Sequence, residues 1–253
     1  MDTTTAGEPG TPYWAQLGSP DPQAAAAFYG ALFGWEFTED PAHGPGHRTA
    51  RLRGLPVAGL GPVGDLPRPG WTACFAVDDA DKAAAAVVAA GGTVLGRTHG
   101  SAASGREHLC ADPSGAHFAV REPDARQAPS AAAGPGGFAM AELITDDVDA
   151  SAAFYGALFG WTTGDPAGPL GRREWRLGGA PVSLLLPRPP AMPLEMPPYW
   201  DAYFTVADVS AAATRAASAG GTLLMPPTAI GTASIAVLLD PAGAVFTLVE
   251  PRA

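Results

Sequence analysis

The sequence predicts an α+β protein in which one fold occurs twice, as two tandem domains of two βαβββ modules each. The first observation is a repeat: residues 24–35 read AAAAFYGALFGW and residues 150–161 read ASAAFYGALFGW. Their offset has the length of a domain, whereas solenoid repeats have periods of roughly 20 to 50 residues. The second observation is the order of apolar segments, which runs strand, helix and three strands in each module.

Later segments repeat as well, and they place the domain boundaries. Residues 71–93 align with residues 200–222, and DPSGAHFAVREP at 112–123 aligns with DPAGAVFTLVEP at 240–251. The stretch between the copies is rich in Ala, Pro and Gly, which is the composition of a linker. We expect the following division: a first domain over 1–125, a linker over 126–137 and a second domain over 138–253.

In the first module, Ser19 and Asp21 are good helix N-caps, and Gly34 is a typical left-handed C-cap. Between them a helix is predicted over Gln23–Phe33, and the predicted strands are Tyr13–Gly18, a strand from Trp35, Arg48–Arg53 and Val57–Leu60. In the second module the predicted elements are a strand Thr72–Val77, a helix Asp78–Ala90 and strands Thr93–Gly96, Glu107–Ala111 and Ala116–Arg121. The second half repeats this order from Phe138.

Composition restricts the class of protein. The net charge of −10 argues against nucleic-acid binding, which needs basic patches. No apolar run approaches the roughly 18 residues of a membrane span, and the N-terminus lacks the pattern of a secretory signal. Cys74 and Cys110 lie in strand-like runs and are expected to stay reduced. The sequence therefore predicts a cytoplasmic protein with no nucleic-acid or membrane partner.

The chain resembles the vicinal oxygen chelate superfamily, which includes glyoxalase I, bleomycin-resistance proteins and extradiol dioxygenases. The resemblance rests on PDPQAAAAFYGALFGW, on AVDDAD before a helix ending AAGG, and on DPSGAHFAV, with their second-half counterparts. The tandem form is also similar to two-domain glyoxalase-like or hydroxylase proteins of actinobacteria. This resemblance implies that paired modules form a U-shaped sheet around a cavity. The cavity of such proteins holds a divalent metal, chelated by two adjacent substrate oxygens.

The resemblance also implies where ligands should lie. Its first position falls on Gln16 (or Trp14) and on Glu142, and its third falls on Thr72 and Asp201. The position on the fourth strand holds no His, Asp or Glu in either half, and the last falls on Ala119 and Thr247. His117, two residues before Ala119 and on the same strand face, could substitute.

These positions give the predicted site. The catalytic candidates are Glu142, Asp201 and His117, and Glu142 and Asp201 are also the metal candidates. The substrate-binding candidates are Trp14, Gln16, Trp71, Thr72, Tyr199, Trp200, Tyr203 and Thr247. The bound metal would be Fe, Mn, Ni or Zn, and a metal-free site is an equal alternative. Glu142 and Asp201 could instead be polar residues in the wall of a pocket, and the tryptophans could instead be core residues. His43, His47 and His99 lie in loops and are predicted to be non-catalytic, whereas Tyr29 and Tyr155 are predicted to anchor their helices.

Two functions remain open from the sequence. The first is a glyoxalase- or dioxygenase-like enzyme, a lyase or oxidoreductase, that acts on a small oxygenated metabolite. The second is a non-catalytic protein that sequesters an antibiotic or carries a small ligand in an apolar cleft. Because a tandem chain can pair its own domains, we expect a monomer with pseudo-two-fold halves, and a homodimer is the alternative.

Overall fold

The computed structural model describes residues 7–98, 106–123 and 134–252. Each half contains two helices and eight strands in the predicted order. The helices are α1 (Pro22–Phe33), α2 (Ala80–Ala89), α3 (Val148–Phe159) and α4 (Val209–Ser218). The first-half strands are β1 (Pro12–Ser19), β2 (Glu36–Glu39), β3 (Arg48–Leu52), β4 (Leu55–Pro62), β5 (Gly70–Ala76), β6 (Thr93–Thr98), β7 (Glu107–Ala111) and β8 (His117–Arg121). The second-half strands are β9 (Phe138–Thr145), β10 (Thr162–Thr163), β11 (Arg173–Leu177), β12 (Ala180–Pro187), β13 (Tyr199–Thr205), β14 (Thr222–Ile230), β15 (Ala233–Leu239) and β16 (Val245–Pro251).

The strands form two eight-stranded sheets with the same topology. The first has the order β2-β3-β4-β1-β5-β8-β7-β6, and the second has the order β10-β11-β12-β9-β13-β16-β15-β14. In every module the first strand pairs in parallel with the last strand, as β1 does with β4 and β9 does with β12. The predicted α+β fold of four βαβββ modules is confirmed.

The repeated motif forms α1 and α3 for local reasons. Asp21 Oδ1 accepts hydrogen bonds from the backbone N–H groups of Gln23 and Ala24, each at 3.0 Å. It thereby gives acceptors to N–H groups of the first turn, which have none within the helix. Gly34 ends α1 in the left-handed conformation at φ 73°. Gly160 ends α3 in the same way at φ 72°. The predicted caps Asp21 and Gly34 are confirmed, whereas Ser19 precedes the helix, where its hydroxyl accepts a 3.2 Å hydrogen bond from the Asp21 N–H.

The residue contacts divide the chain into two compact units that do not follow the two halves. Unit 1 comprises Met1–Tyr13, Ala73–Ala125 and Met140–Asp201, and unit 2 comprises Trp14–Thr72, Arg126–Ala139 and Ala202–Ala253. Each unit therefore combines the first module of one half with the second module of the other half. The division at residues 125 and 138 follows the repeat and stays a prediction; residues 124–133 of that region lie outside the described part of the chain.

In unit 1 the helix-side core is arranged around Tyr155 of α3. Its hydroxyl donates a 3.0 Å hydrogen bond to Asp112 Oδ2 in the turn before β8. It also accepts a 2.8 Å hydrogen bond from Trp200 Nε1. Trp161 packs against the same ring and donates to the Gly10 carbonyl at 2.8 Å. A helix from the second half is thus fixed to a turn of the first half.

Unit 2 contains the same arrangement with the halves exchanged. Tyr29 of α1 donates to Asp240 Oδ2 at 3.1 Å and accepts from Trp71 Nε1 at 2.9 Å. Trp35 Nε1 donates to the Gly136 carbonyl at 2.8 Å. Burial, followed by the charge of the aspartate, raises the pKa of both tyrosines well above its ordinary value. Both hydroxyls therefore stay protonated and act as donors, and their predicted anchoring role has a structural basis.

Both cysteines are buried thiols. Burial, and then the charge of Glu107, raises the pKa of Cys110 to about 12, and the pKa of Cys74 is also raised well above its ordinary value. The thiolate forms are therefore disfavoured, which makes both side chains chemically inert. Among the described residues, no helix is both long and apolar enough to cross a membrane.

The exchanged cores predict that neither half is a stable folded monomer. A chain ending at residue 125 has Tyr29 and Trp35 but lacks their partners Asp240 and Gly136, and a chain starting at residue 138 lacks Asp112 and Gly10. We expect each separate half to unfold or to dimerise, since a second copy can supply the missing module. Circular dichroism and light scattering check this expectation, with the intact chain as control. A folded, monomeric half would contradict it.

Candidate functional site

The contacts of Tyr155 show which face of the second sheet is covered by a helix. Its ring lies 5.7 Å from the ring of Trp175 and 5.3 Å from the ring of Trp200, so both tryptophans point toward the helix. Because side chains alternate along a strand, Asp201 points to the opposite side of the sheet. We call this side the helix-free face.

Register places Glu142 on the same face. Trp175 pairs with Ser183, so Ser183 also points toward the helix and its neighbour Leu184 points away. Leu184 pairs in parallel with Glu142, and paired residues share a face. Glu142 and Asp201 therefore lie on the helix-free face of adjacent strands β9 and β13, and both belong to unit 1.

Glu142 is held by an arginine that the sequence analysis did not identify. Arg172 Nε lies 2.6 Å from Glu142 Oε1, and Arg172 Nη2 donates to Glu142 Oε2 at 3.2 Å. This is a two-point ion pair, which fixes the relative orientation of both groups. The Glu142 side chain is 2% exposed and the Arg172 side chain 22% exposed, so the carboxylate is the more deeply buried partner.

Arg172 reaches this position from the loop between β10 and β11. The loop is closed by a bridge in which the Ala167 N–H donates to the Arg172 carbonyl at 2.7 Å. Gly168 and Gly171 both adopt φ 67° within it, a conformation that favours glycine. In the repeat, Arg172 aligns with His47, and this correspondence is the signal in the sequence that could have drawn attention to both residues.

The remaining second-sheet candidates lie along β13 and β16. Tyr199, Asp201 and Tyr203 alternate on the helix-free face of β13, and Asp201 is buried at 3% exposure. Tyr203 pairs in parallel with Thr247, which is fully buried in unit 2. These polar groups have the predicted orientation, and a role in ligand binding stays a prediction for them.

In the first sheet the candidates belong to unit 2. Trp14 and Gln16 alternate on one face of β1; Trp14 is buried and Gln16 is half-buried. Thr72 is buried next to Trp71 on β5, and alternation places it on the opposite side from that tryptophan. A role in ligand binding stays a prediction for these residues as well.

Two predicted site residues have other positions than a cavity wall requires. Trp71 and Trp200 lie on the helix side, where each donates its indole N–H to a tyrosine hydroxyl, so they form core, which was the alternative for the tryptophans. His117 lies on β8 of the first sheet, the half for which it was predicted, and its role there stays a prediction.

The predicted metal role of Glu142 and Asp201 does not fit this arrangement. Over residues 7–98, 106–123 and 134–252, no group of three or more His, Cys, Asp or Glu side chains could hold a metal ion. Both oxygens of Glu142 face the guanidinium of Arg172, whose positive charge repels a cation at the same carboxylate. The Glu142 carboxylate is therefore better placed to hold this guanidinium than to hold a metal ion.

Two sheets of this topology, each with a helix-covered side and a helix-free face, have the fold of the vicinal oxygen chelate class. Solved structures share this fold. The Mn(II)-bound glyoxalase from Novosphingobium aromaticivorans has a TM-score of 0.67 at 18% identity, covering 95% of this chain and 82% of that one. The 2,3-dioxygenase LapB from Pseudomonas sp. KL28 has a TM-score of 0.66 at 14% identity, covering 96% and 92%.

The chain belongs to the glyoxalase-like domain family, whose pattern matches residues 14–121 and 140–249. "Putative glyoxylase CFP32" of Mycobacterium tuberculosis is 34% identical over 252 residues, which cover 96% of this chain and 95% of that protein. "Anthracycline biosynthesis protein DnrV" of Streptomyces peucetius is 35% identical over 264 residues, which cover 96% and 94%. The predicted family is confirmed.

The ion pair predicts that removal of Arg172 alone destabilises the protein more than removal of both partners. Arg172→Leu leaves the buried Glu142 carboxylate without this counter-charge and should lower the free energy of unfolding by about 3 kcal/mol. The double variant Glu142→Leu/Arg172→Leu should recover most of that loss, because neither charge is then left behind. Urea denaturation measures both values.

Arg48→Leu is the matched control. Arg48 is paired with Glu39, whose side chain is 70% exposed, and exposed pairs contribute at most about 1 kcal/mol. Equal losses for Arg172→Leu and Arg48→Leu would contradict a special role for the Glu142 pair.

Proposed function

We propose that this protein acts on a small oxygenated metabolite at the Glu142 site, by proton transfer at a carbon next to a carbonyl group and without a resident metal. One observation carries the proposal. A buried carboxylate holds a guanidinium on the helix-free face of β9, and a second buried carboxylate lies on the same face of the adjacent strand β13. A fixed cation beside a carboxylate base supports this chemistry.

Each residue has a separate task in this proposal. Glu142 fixes the Arg172 guanidinium, which binds the carbonyl oxygen of the substrate and stabilises the negative charge that develops there. Asp201 accepts the proton from the adjacent carbon, and the electron pair of the broken C–H bond moves into the enolate. Within the resulting enediolate, the proton of the substrate hydroxyl moves to the former carbonyl oxygen, and Asp201 returns its proton to the former carbonyl carbon, so that the hydroxyl-bearing carbon becomes the new carbonyl. The steps balance as an isomerisation, so no oxidant or reductant is required.

Two relatives have names that concern small-molecule chemistry, namely "Putative glyoxylase CFP32" and "Anthracycline biosynthesis protein DnrV". For the protein described here we propose a 2-hydroxy ketone or a related oxygenated compound as substrate, and the cytoplasm as its location. The alternative is ligand binding without chemistry, which the pairing of Glu142 with Arg172 favours because that carboxylate is already engaged.

Exchange of the substrate's α-proton in deuterium oxide tests the proposal. Hydroxyacetone and 2-hydroxyacetophenone are suitable probes, and proton NMR follows the loss of the α-proton signal. Asp201→Asn should slow the protein-dependent exchange about 100-fold or more, because it removes the base. Asp146→Asn, an exposed carboxylate paired with Arg188, should leave the rate unchanged. An unchanged rate in Asp201→Asn would refute the assignment of the base.

Metal dependence is tested on the same material. Elemental analysis of protein prepared without a polyhistidine tag should show no stoichiometric Mn, Fe, Ni or Zn, and chelator should not change the exchange rate. Stoichiometric metal that is lost in Glu142→Ala would overturn the metal-free mechanism. Saturable binding of a probe that is recovered unaltered, without exchange, would instead support the binding-protein alternative.

A further inference from the structure

The loop between β12 and β13 holds a leucine in solvent at the tip of a turn. Leu194 is 85% exposed, more than any other large apolar side chain in the described part of the chain. Its turn runs from Pro193 to Met196 and is closed by a 3.1 Å hydrogen bond from the Met196 N–H to the Pro193 carbonyl. Arg188, next to the end of β12, donates to the same carbonyl at 3.0 Å, so the turn is fixed to the sheet. We call Leu194 and Glu195, its two central residues, the turn tip.

A groove lies between the outer face of α4 and the strand β14. Its volume is about 580 Å³, and its lining includes Thr214, Ala217 and Ser218 of α4 and Leu223 and Pro227 of β14. The hydroxyls of Thr214 and Ser218 donate at 2.9 Å to carbonyl oxygens four residues earlier in the helix, and Leu223 is 42% exposed. The groove is therefore mainly apolar, and a partner that covers it buries an exposed leucine without displacing these hydrogen bonds.

The free edge of β14 is unsuited to binding a partner strand. β14 is the last strand of its sheet, but Pro226 and Pro227 have no N–H group to donate. Its pairing with β15 also shifts register between Leu223 and Met225 and again between Met225 and Thr228. Such an irregular edge does not template a further strand. A partner must therefore dock through side chains that enter the groove.

The turn tip and the groove carry opposite charges at their margins. Glu195 follows Leu194 directly, and Arg215 is an exposed residue that follows the groove residue Thr214 in α4. Within residues 7–98, 106–123 and 134–252, neither of these charged side chains forms an ion pair. With a leucine of the turn tip in the groove, Glu195 lies at the rim, where Arg215 offers the opposite charge and so favours association.

The first half, over its described residues, has neither feature. In its loop between β4 and β5, Leu66 folds back onto β1, where a methyl group at Gly18 would lie 2.6 Å from Leu66 Cδ1. In α2, Val88 stands at the position that the repeat assigns to Ala217, and its larger side chain would fill the space that alanine leaves open. The turn tip and the groove therefore occur together in one half, as expected when one surface binds the other.

We propose that the groove between α4 and β14 binds the turn tip of a second copy of this chain. Leu194 of one molecule enters the groove of the next and covers Leu223, and Glu195 pairs with Arg215 at the rim. The contact is head-to-tail, because it joins two different surfaces. The expected monomer is then the form at low concentration. This self-association does not depend on the proton-transfer function proposed for the Glu142 site.

Sedimentation velocity of the intact chain over a concentration series tests the contact. One leucine in a groove is a small contact, so we expect weak association, seen as a sedimentation coefficient that rises with concentration. Leu194→Ser should weaken the association about tenfold or more, because the buried apolar area is lost. Ala217→Val should weaken it to a similar degree, because it places in the groove the residue that the first half has at this position.

Charge reversal identifies which surfaces meet. Glu195→Arg and Arg215→Glu should each weaken self-association up to about fivefold, the worth of one exposed ion pair. An equimolar mixture of these two variants should associate again, because the tip of the first variant meets the groove of the second with opposite charge.

Leu224→Ser is the matched control, since Leu224 is exposed on β14 but does not line the groove, and it should leave the association unchanged. Three results would each overturn the proposal. The first is a sedimentation coefficient that stays constant up to about 1 mM, where even contacts with a millimolar Kd are populated. The second is association that survives both Leu194→Ser and Ala217→Val. The third is a mixture of the two charge variants that associates no better than either variant alone.

Discussion

The hydrogen bond from a buried tyrosine hydroxyl to a turn aspartate is the interaction on which this fold depends. It occurs twice, from Tyr155 to Asp112 and from Tyr29 to Asp240. Each aspartate also organises its own turn, since Asp112 Oδ1 accepts from the backbone N–H groups of Ser114 and Ala116 at 2.9 Å. One carboxylate therefore shapes the turn that starts a strand and fixes the helix that covers the sheet. This contact also holds Trp200 and Trp71, which donate to the same tyrosine hydroxyls, on the helix side of their sheets.

Duplication has left the backbone of the two halves alike and made their helix-free faces different. Where the second half has Glu142 held by Arg172 and opposite Leu184, the first half has Gln16 opposite Gly59 and His47 packed against Gly61. The pair in the second half is charged, whereas the side chains of Gln16 and His47 each occupy the space beside a glycine. In both halves the two residues come from the same two places in the chain, namely the first strand of the half and the loop before its third strand.

The local parts of this structure could be predicted from the sequence, because their causes are local. The end of α1 at Gly34 follows from its capping chemistry, and the orientation of Glu142 and Asp201 follows from the alternation of strands. Arg172 could not be found in this way, since it is 30 residues from Glu142 and meets it only through the folded loop. The exchange of modules was also beyond prediction. Asp112 and Asp240 occupy equivalent turns of a repeat, so the sequence does not indicate which of them Tyr29 bonds.

The exchanged modules have a consequence for biosynthesis. Unit 2 is completed only by residues 202–253, so Tyr29 has to wait for Asp240, 211 positions later. At about 5 to 20 residues per second, a ribosome needs roughly 10 to 50 s to make a chain of this length. During that time the apolar face of α1 has no native partner, and many of the contacts that finally form are between residues distant in sequence, which slows folding. The protein thus gains a shared core at the cost of a long exposure of its nascent chain.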